Sequence, residues 1–102
     1  MLKSISLSLS RKQLVEFCQR HHIRKLSLFG SILRDDFTET SDIDFLVEFD
    51  AHHIPGYLRL SGMEIELSEI IGRKADLRTA HELSHYFRQQ VLQEALVQYV
   101  ED

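Results

Sequence analysis

The sequence predicts an α/β protein, a small mixed β-sheet backed by helices, within a single domain spanning residues 1–102. Three observations lead there. Short runs such as Asp42–Phe49 alternate apolar and polar residues with a period of two, whereas other segments repeat their apolar residues at three and four. The two kinds of segment interleave as helix, strand, turn, strand, helix, strand, helix. A chain of 102 residues, 43% hydrophobic and 27% charged, suits one ordinary core.

Each element has its own signal. Ser10 is a good N-cap for a helix to about Arg20, with Leu14, Phe17 and Cys18 facing inward. Ile23–Phe29 reads as a strand closed by Gly30-Ser31, and Ile32–Asp36 as a short helical turn. Thr38–Ser41 is turn-like, and Asp42–Phe49 is the strongest strand. A helix over roughly Tyr57–Ile71 has a stripe of Leu60, Met63, Leu67, Ile70 and Ile71, with Gly72 as its stop. Lys74–Thr79 is a third strand, placed by the intervening helix parallel to the second. A last helix is expected from about Glu82 to Val100, with Leu83, Phe87, Val91, Ala95 and Tyr99 at spacings of four.

Composition excludes several classes. The lone Cys18 rules out an intramolecular disulfide framework and a Cys-rich zinc site, and is most simply a small core residue. No stretch approaches the roughly 20 apolar residues of a membrane helix. The segment MLKSISLSLS, interrupted by serines and closed by Arg11-Lys12, lacks a signal-peptide core, so a cytoplasmic location is expected. Residues 1–34 carry seven Lys/Arg against Glu16 alone, a charge of +6; residues 35–102 carry five against 15 acids, a charge of −10. That overall acidity argues against direct nucleic-acid binding, which depends on neutralising phosphates.

Chemistry concentrates in Phe29-Gly30-Ser31, ten residues, then Asp42-Ile43-Asp44. Residues i and i+2 of a strand share a face, so Asp42 and Asp44 point one way while Ile43 and Phe45 enter the core. Neighbouring carboxylates repel unless a proton or cation intervenes. Mg²⁺ is the natural cation, because it takes one or two carboxylates and fills its shell with water and phosphate oxygens. Asp76, on the parallel neighbour strand, completes a three-carboxylate set. Gly30 lets the backbone approach a ligand, and the Ser31 hydroxyl with the following N–H groups offers an anion site. Arg34 lies one turn on, placed to pair with a phosphate or an acid. A phosphate at Gly30-Ser31 and a metal on the acids together describe a nucleoside-triphosphate site.

The stretch FGSILRDDFTETSDIDFLVEF resembles the Gly-Ser, ten residues, Asp-x-Asp signature of the polymerase-beta-like nucleotidyltransferase superfamily. With KADLRT and HELSHYFRQQVLQEALVQY following, the chain is similar over residues 10–100 to the minimal nucleotidyltransferase (MNT) antitoxins, partners of HEPN toxins. The resemblance implies the nucleotidyltransferase fold, with Asp42, Asp44 and Asp76 as catalytic and metal-binding residues and Gly30, Ser31 and Arg34 binding nucleotide. It also implies Mg²⁺ as cofactor and ATP as substrate. AMP would pass to a hydroxyl, a tyrosine, of a HEPN-type ribonuclease toxin, silencing it within a hetero-oligomer. The alternative is a non-catalytic antitoxin that neutralises its partner by complex formation. Candidate docking surfaces are the basic first helix and the last helix, through Val91, Leu92, Leu96, Val97 and Val100.

His81-Glu82-Leu83-Ser84-His85 matches the H-E-x-x-H metalloprotease pattern, which needs both His on one helix face. A catalytic zinc also wants a third ligand, and no His follows, so the match is set aside. His21-His22 and His52-His53 are sequence neighbours that share no helix face and read as surface or loop residues, with His52-His53 alone placed to border a nucleotide pocket. Tyr57, Tyr86 and Tyr99 read as packing residues.

Overall fold

A computed structural model describes residues 10–34, 37, 38 and 40–101. Four strands form one sheet in the order β3-β2-β1-β4. Helix α1 (Arg11–Arg20) starts where the Ser10 side chain accepts from the Gln13 N–H at 3.3 Å. Strand β1 (Ile23–Phe29) runs into a 3-10 turn over Gly30–Leu33, shorter than the expected turn, whose end at Asp36 lies outside the described residues. Strand β2 (Ile43–Phe49) is antiparallel to β1, helix α2 (Tyr57–Ile71) ends on Gly72 at φ 73°, and β3 (Ala75–Arg78) returns parallel to β2. The expected crossover and mixed sheet are therefore present.

The core lies on one face of the sheet. Leu14, Phe17 and Cys18 of α1 and Met63, Leu67 and Ile71 of α2 close over Leu26, Ile43, Phe45 and Leu77. Each of these is at most 2% exposed. Leu60 and Ile70 flank this α2 stripe half-buried. Burial pushes the Cys18 thiol up to about 12, against the lowering influence of Arg11, so Cys18 is a packing group rather than a nucleophile.

Two polar devices hold α2 to the outer edge of β3. The Leu77 N–H donates to the Glu64 carboxylate at 2.7 Å, and the Ala75 N–H to Ser68 Oγ at 2.8 Å. An edge strand otherwise offers such groups to any passing strand. Glu66 of α2 takes Arg20 of α1 and His21, which caps the end of α1, with His21 Nε2 at 2.8 Å. Arg73 secures the chain ahead of β2, donating to the carbonyls of Thr38 and Ser41 at 2.7 and 2.6 Å while lying over the Phe37 ring.

The C-terminal segment differs from the expected single helix. A 3-10 turn covers Ala80–Glu82, helix α3 runs only over His85–Glu94, and Leu96–Val100 forms β4, antiparallel to β1. Thr79 and Glu82 form a capping box that completes the turn, and Ser84 caps a new helix, accepting from the Tyr86 N–H at 3.4 Å. After Ala95 the run LVQYV, rich in β-branched and aromatic residues, satisfies the open side of β1. Arg11 of α1 donates to the Gln98 carbonyl at 2.6 Å and ties β4 down. His81 and Glu82 therefore sit in one element and His85 in the next, so the H-E-x-x-H match has no helix to stand on.

Candidate active site

Alternation along β2 and β3 leaves Asp44, Leu46, Asp76 and Arg78 on the sheet face opposite α1 and α2. Asp44 and Asp76 are direct partners in the parallel register, and Phe29, just before Gly30, is Asp44's partner on the other side. The carboxylates of β2 and β3 thus stand side by side, with the β1 turn closing against one of them.

That closure is tight. Gly30 has φ +78°, and a Cβ built there would overlap Asp44 Oδ2 and stand 3.2 Å from its Cγ. Only glycine meets both demands. The approach lets the Ser31 backbone N–H donate to the Asp44 carboxylate, and the Ser31 hydroxyl donates to the Asp42 carbonyl at 3.4 Å. The Ser31 backbone N–H is therefore engaged by Asp44. Arg34 is exposed at the end of the turn, its N–H donating to the Ser31 carbonyl at 2.9 Å.

The electrostatics show that the acids act on one another. Asp44 is raised above the usual carboxylate range, first by burial and then by the charge of Asp76, with Asp42 adding to the repulsion. The Ser31 N–H and Arg78 pull in the opposite direction. Asp42 stands just before β2 rather than inside it, with Lys74 Nζ 3.7 Å from its Oδ2.

Among the described residues no group of three His, Cys, Asp or Glu side chains forms a ready-made metal cage. The donor set still fits Mg²⁺, which uses one or two carboxylates and completes its shell with water and phosphate oxygens. A half-buried carboxylate held at raised energy beside a second one is relieved by such a cation.

Comparison with known proteins places this arrangement. Residues 10–97 match the model of the nucleotidyltransferase domain family. The chain belongs to that family. It is a nucleotidyltransferase, and its mixed four-stranded sheet with three helices matches the minimal form of the fold. A provisionally named protein adenylyltransferase of Methanocaldococcus jannaschii is 31% identical over 86 residues, 84% of this chain and 90% of the relative. The protein adenylyltransferase MntA of Thermococcus cleftensis is 32% identical over 81 residues, 79% of this chain and 80% of that one. A solved structure described as a minimal nucleotidyltransferase superposes with a TM-score of 0.68 at 30% identity, covering 84% of this chain and 86% of the other. A toxin–antitoxin structure with AMP-PNP has a TM-score of 0.72 at 18% identity, covering 92% and 76%. A tri-AMPylated Shewanella oneidensis HEPN toxin in complex with an MNT antitoxin has a TM-score of 0.64 at 16% identity, covering 89% and 70%. The last two bear on the fold alone.

The other singled-out residues gather elsewhere. His22 and His53 stack at 3.7 Å, with Asp50 3.8 Å from His53, beyond the end of β2 opposite the carboxylates. Tyr57 and Tyr86 are 82% and 88% exposed, so they are not packing residues, whereas Tyr99 is half-buried against the core. Of the docking candidates, Arg11, Lys12 and Arg20 are exposed on α1, Leu92 on α3, and Val97 and Val100 on β4. Two features escaped sequence reading. Arg78 lies on the carboxylate face and influences Asp44. A cavity of about 510 Å³ opens on that face, bordered by Ser27, Leu46, Ile54, His81, Leu92 and Val97. The i, i+2 spacing of Asp76 and Arg78 was the available signal for the first.

Proposed function

We propose that this nucleotidyltransferase is an antitoxin that transfers AMP from ATP to a hydroxyl, a tyrosine, of a HEPN-type ribonuclease toxin, in a hetero-oligomer with it. One observation carries the reading: Asp44 and Asp76 are in register on parallel strands, with Gly30-Ser31 closed against Asp44. Protein-adenylyltransferase relatives near 30% identity support the acceptor class, and structural neighbours assembled with HEPN toxins support the partner. The very exposed Tyr86 and Phe87 of α3 offer apolar surface to such a protein.

In this mechanism Gly30 and Ser31 hold the triphosphate, with Arg34 beside it, and Asp42, Asp44 and Asp76 are the residues to hold Mg²⁺. Bound Mg²⁺ supplies charge neutralisation for phosphate oxygens and acids. Binding ATP frees the Ser31 N–H from Asp44 and turns it to phosphate. Asp76, on the flank of Asp44 away from Gly30, orients the acceptor hydroxyl and receives its proton. The acceptor oxygen bonds to the α-phosphorus, the α–β P–O bond breaks, and pyrophosphate leaves on the Gly30-Ser31 side.

The test combines the protein, Mg²⁺, α-labelled ATP and the HEPN-type protein that co-purifies with it from its host. Label should appear on the partner and be lost with Asp44→Asn, whose folding is checked by circular dichroism. A stable complex that carries no label would replace this reading with neutralisation by binding alone.

A further inference from the structure

No step assigned to the acids or to Gly30-Ser31 uses Arg78, yet it shares a sheet face with Asp44 and Asp76. It follows Asp76 by two residues on β3, so both side chains leave the sheet on the side opposite α1 and α2. Its register partner is Leu46, just as Asp44 is the partner of Asp76. Arg78 is therefore rooted one step, ~6.5–7 Å, inward along the strands from the acid pair. Asp42 and Lys74 lie in the outward direction, just ahead of β2 and β3 and 3.7 Å apart. The charge of Arg78 already reaches Asp44, where it opposes the repulsion of Asp76 and Asp42.

The contact that holds Arg78 at rest is weak. Its Nη1 stands 3.6 Å from Glu82 Oε2, and both side chains are well exposed. Such a pair contributes little, so leaving it costs little. Glu82 does not depend on it either. Its Oε1 already accepts from the Thr79 N–H at 3.0 Å and from the Thr79 hydroxyl at 3.3 Å. Arg78 is thus a planar, permanently charged donor, loosely kept beside acids that handle phosphate.

The geometry of the displacement selects the phosphate oxygen it meets. Attacking and leaving oxygens take opposite ends of one axis. Here that axis runs across the strands, from Asp76 on the β3 side to Gly30-Ser31 on the β1 side. The remaining three oxygens of the α-phosphorus, two of them non-bridging, lie in the plane between those ends. That plane runs along the strands. Arg78, one step inward along β3, stands off the axis and beside the plane. It is out of line with pyrophosphate, and a non-bridging α-oxygen is the anion within its reach.

We propose that Arg78 is a further catalytic residue, which leaves Glu82 when ATP binds and donates to a non-bridging oxygen of the α-phosphate. The inference rests on the AMP-transfer reading above. The acceptor oxygen bonds to the α-phosphorus, the α–β P–O bond breaks, and pyrophosphate leaves with the bond's electrons. The acceptor proton passes to Asp76, and Arg78 keeps all of its own. Its contribution is a fixed positive charge beside the oxygens on which charge gathers in the transition state.

The test is single-turnover transfer to the HEPN-type partner, followed by intact mass. It uses ATP and each diastereomer of its α-thio analogue, in which sulfur replaces one non-bridging oxygen. Arg78→Ala should lower the rate at saturating ATP about 100-fold. The half-saturating ATP concentration should stay within about threefold of the wild type. Arg78→Lys, which keeps the charge and loses the fork, should recover part of the rate. Each diastereomer carries its own rate penalty relative to ATP in the wild type. Arg78→Ala should shrink one penalty by on the order of tenfold and leave the other unchanged. Glu82→Gln, which keeps the capping box, should transfer within about threefold of the wild type. Equal losses with ATP and both diastereomers would mark a structural role for Arg78 and overturn the proposal. So would a change confined to the half-saturating ATP concentration, or a Glu82→Gln defect as deep as that of Arg78→Ala, which would place the effect in the ion pair. No transfer by the wild type would instead remove the AMP-transfer reading itself, and this inference with it.

Discussion

Replacing Gly30 by alanine separates backbone strain from damage at the site. Gly30 has φ +78°, a conformation that costs an L-residue about 1–2 kcal/mol. For a domain of this size that lowers Tm by roughly 4–16 °C. The second effect is local: the new Cβ falls on Asp44 Oδ2, with Cγ at 3.2 Å and Cβ at 3.4 Å. The carboxylate must swing aside, weakening its bond from the Ser31 N–H. Displacement on the order of 1 Å in a reacting constellation costs about 100-fold in rate. Gly72 supplies the control, since it has φ +73° but nothing within 4 Å of a built Cβ. Urea unfolding and the initial rate of label transfer are measured for both variants. Gly30→Ala and Gly72→Ala should lose similar stability, while only Gly30→Ala loses transfer, by about two orders of magnitude. Transfer by folded Gly30→Ala within threefold of the wild type would show that the Gly30–Asp44 approach is not needed.

Three further outcomes follow from the same contacts. Asp44 is raised by burial and then by Asp76, so the folded state holds a proton that the unfolded chain releases. Stability from this group is fullest below its unfolded value of 3.8 and is lost as pH rises through the folded value. Asp44→Asn should accordingly have the higher urea midpoint at pH 7 in the absence of metal, with the gap narrowing as pH falls towards 3.8 and closing below it; a lower midpoint at pH 7 would refute the repulsion. Glu64→Ala leaves the Leu77 N–H without its carboxylate and should cost about 1.5–3 kcal/mol by urea unfolding, with Glu64→Gln keeping part of it. Cys18, fully buried and with its thiol pushed up to about 12, should react with iodoacetamide at pH 8 only as fast as the protein opens, so labelling in the native state at the rate of a free thiol would contradict the packing of α1.

The elements that sequence analysis placed well are those whose ends carry local chemistry. α1 begins at a serine that caps it, and α2 ends at a glycine that takes the left-handed conformation. The strand pair β2–β3 followed from the helix between them, because a parallel neighbour needs a crossover. The C-terminal helix failed for the opposite reason. No Gly or Pro marks the break after Glu94, and a four-residue repeat runs through it unbroken. What makes Leu96–Val100 a strand is the open edge of β1, a long-range demand that no local window contains. The same failure undid H-E-x-x-H, a spacing that means something only within one helix.

The site divides along the same line. Gly30, Ser31, Asp42, Asp44 and Asp76 were singled out by their spacing and by the alternation of a strand, and the structure brings Gly30, Asp44 and Asp76 together. Their interplay was not. That Asp44 faces Asp76 in register, rather than pairing chiefly with Asp42, depends on where β2 begins and how β3 aligns beside it. Asp42 falls just outside the strand, within 3.7 Å of Lys74, while Asp44 collects the burial, the repulsion and the Ser31 N–H. The electrostatic strain therefore gathers on Asp44, and the closeness of Gly30 to it brings the Gly-Ser and Asp-x-Asp signals, ten residues apart in sequence, together in space.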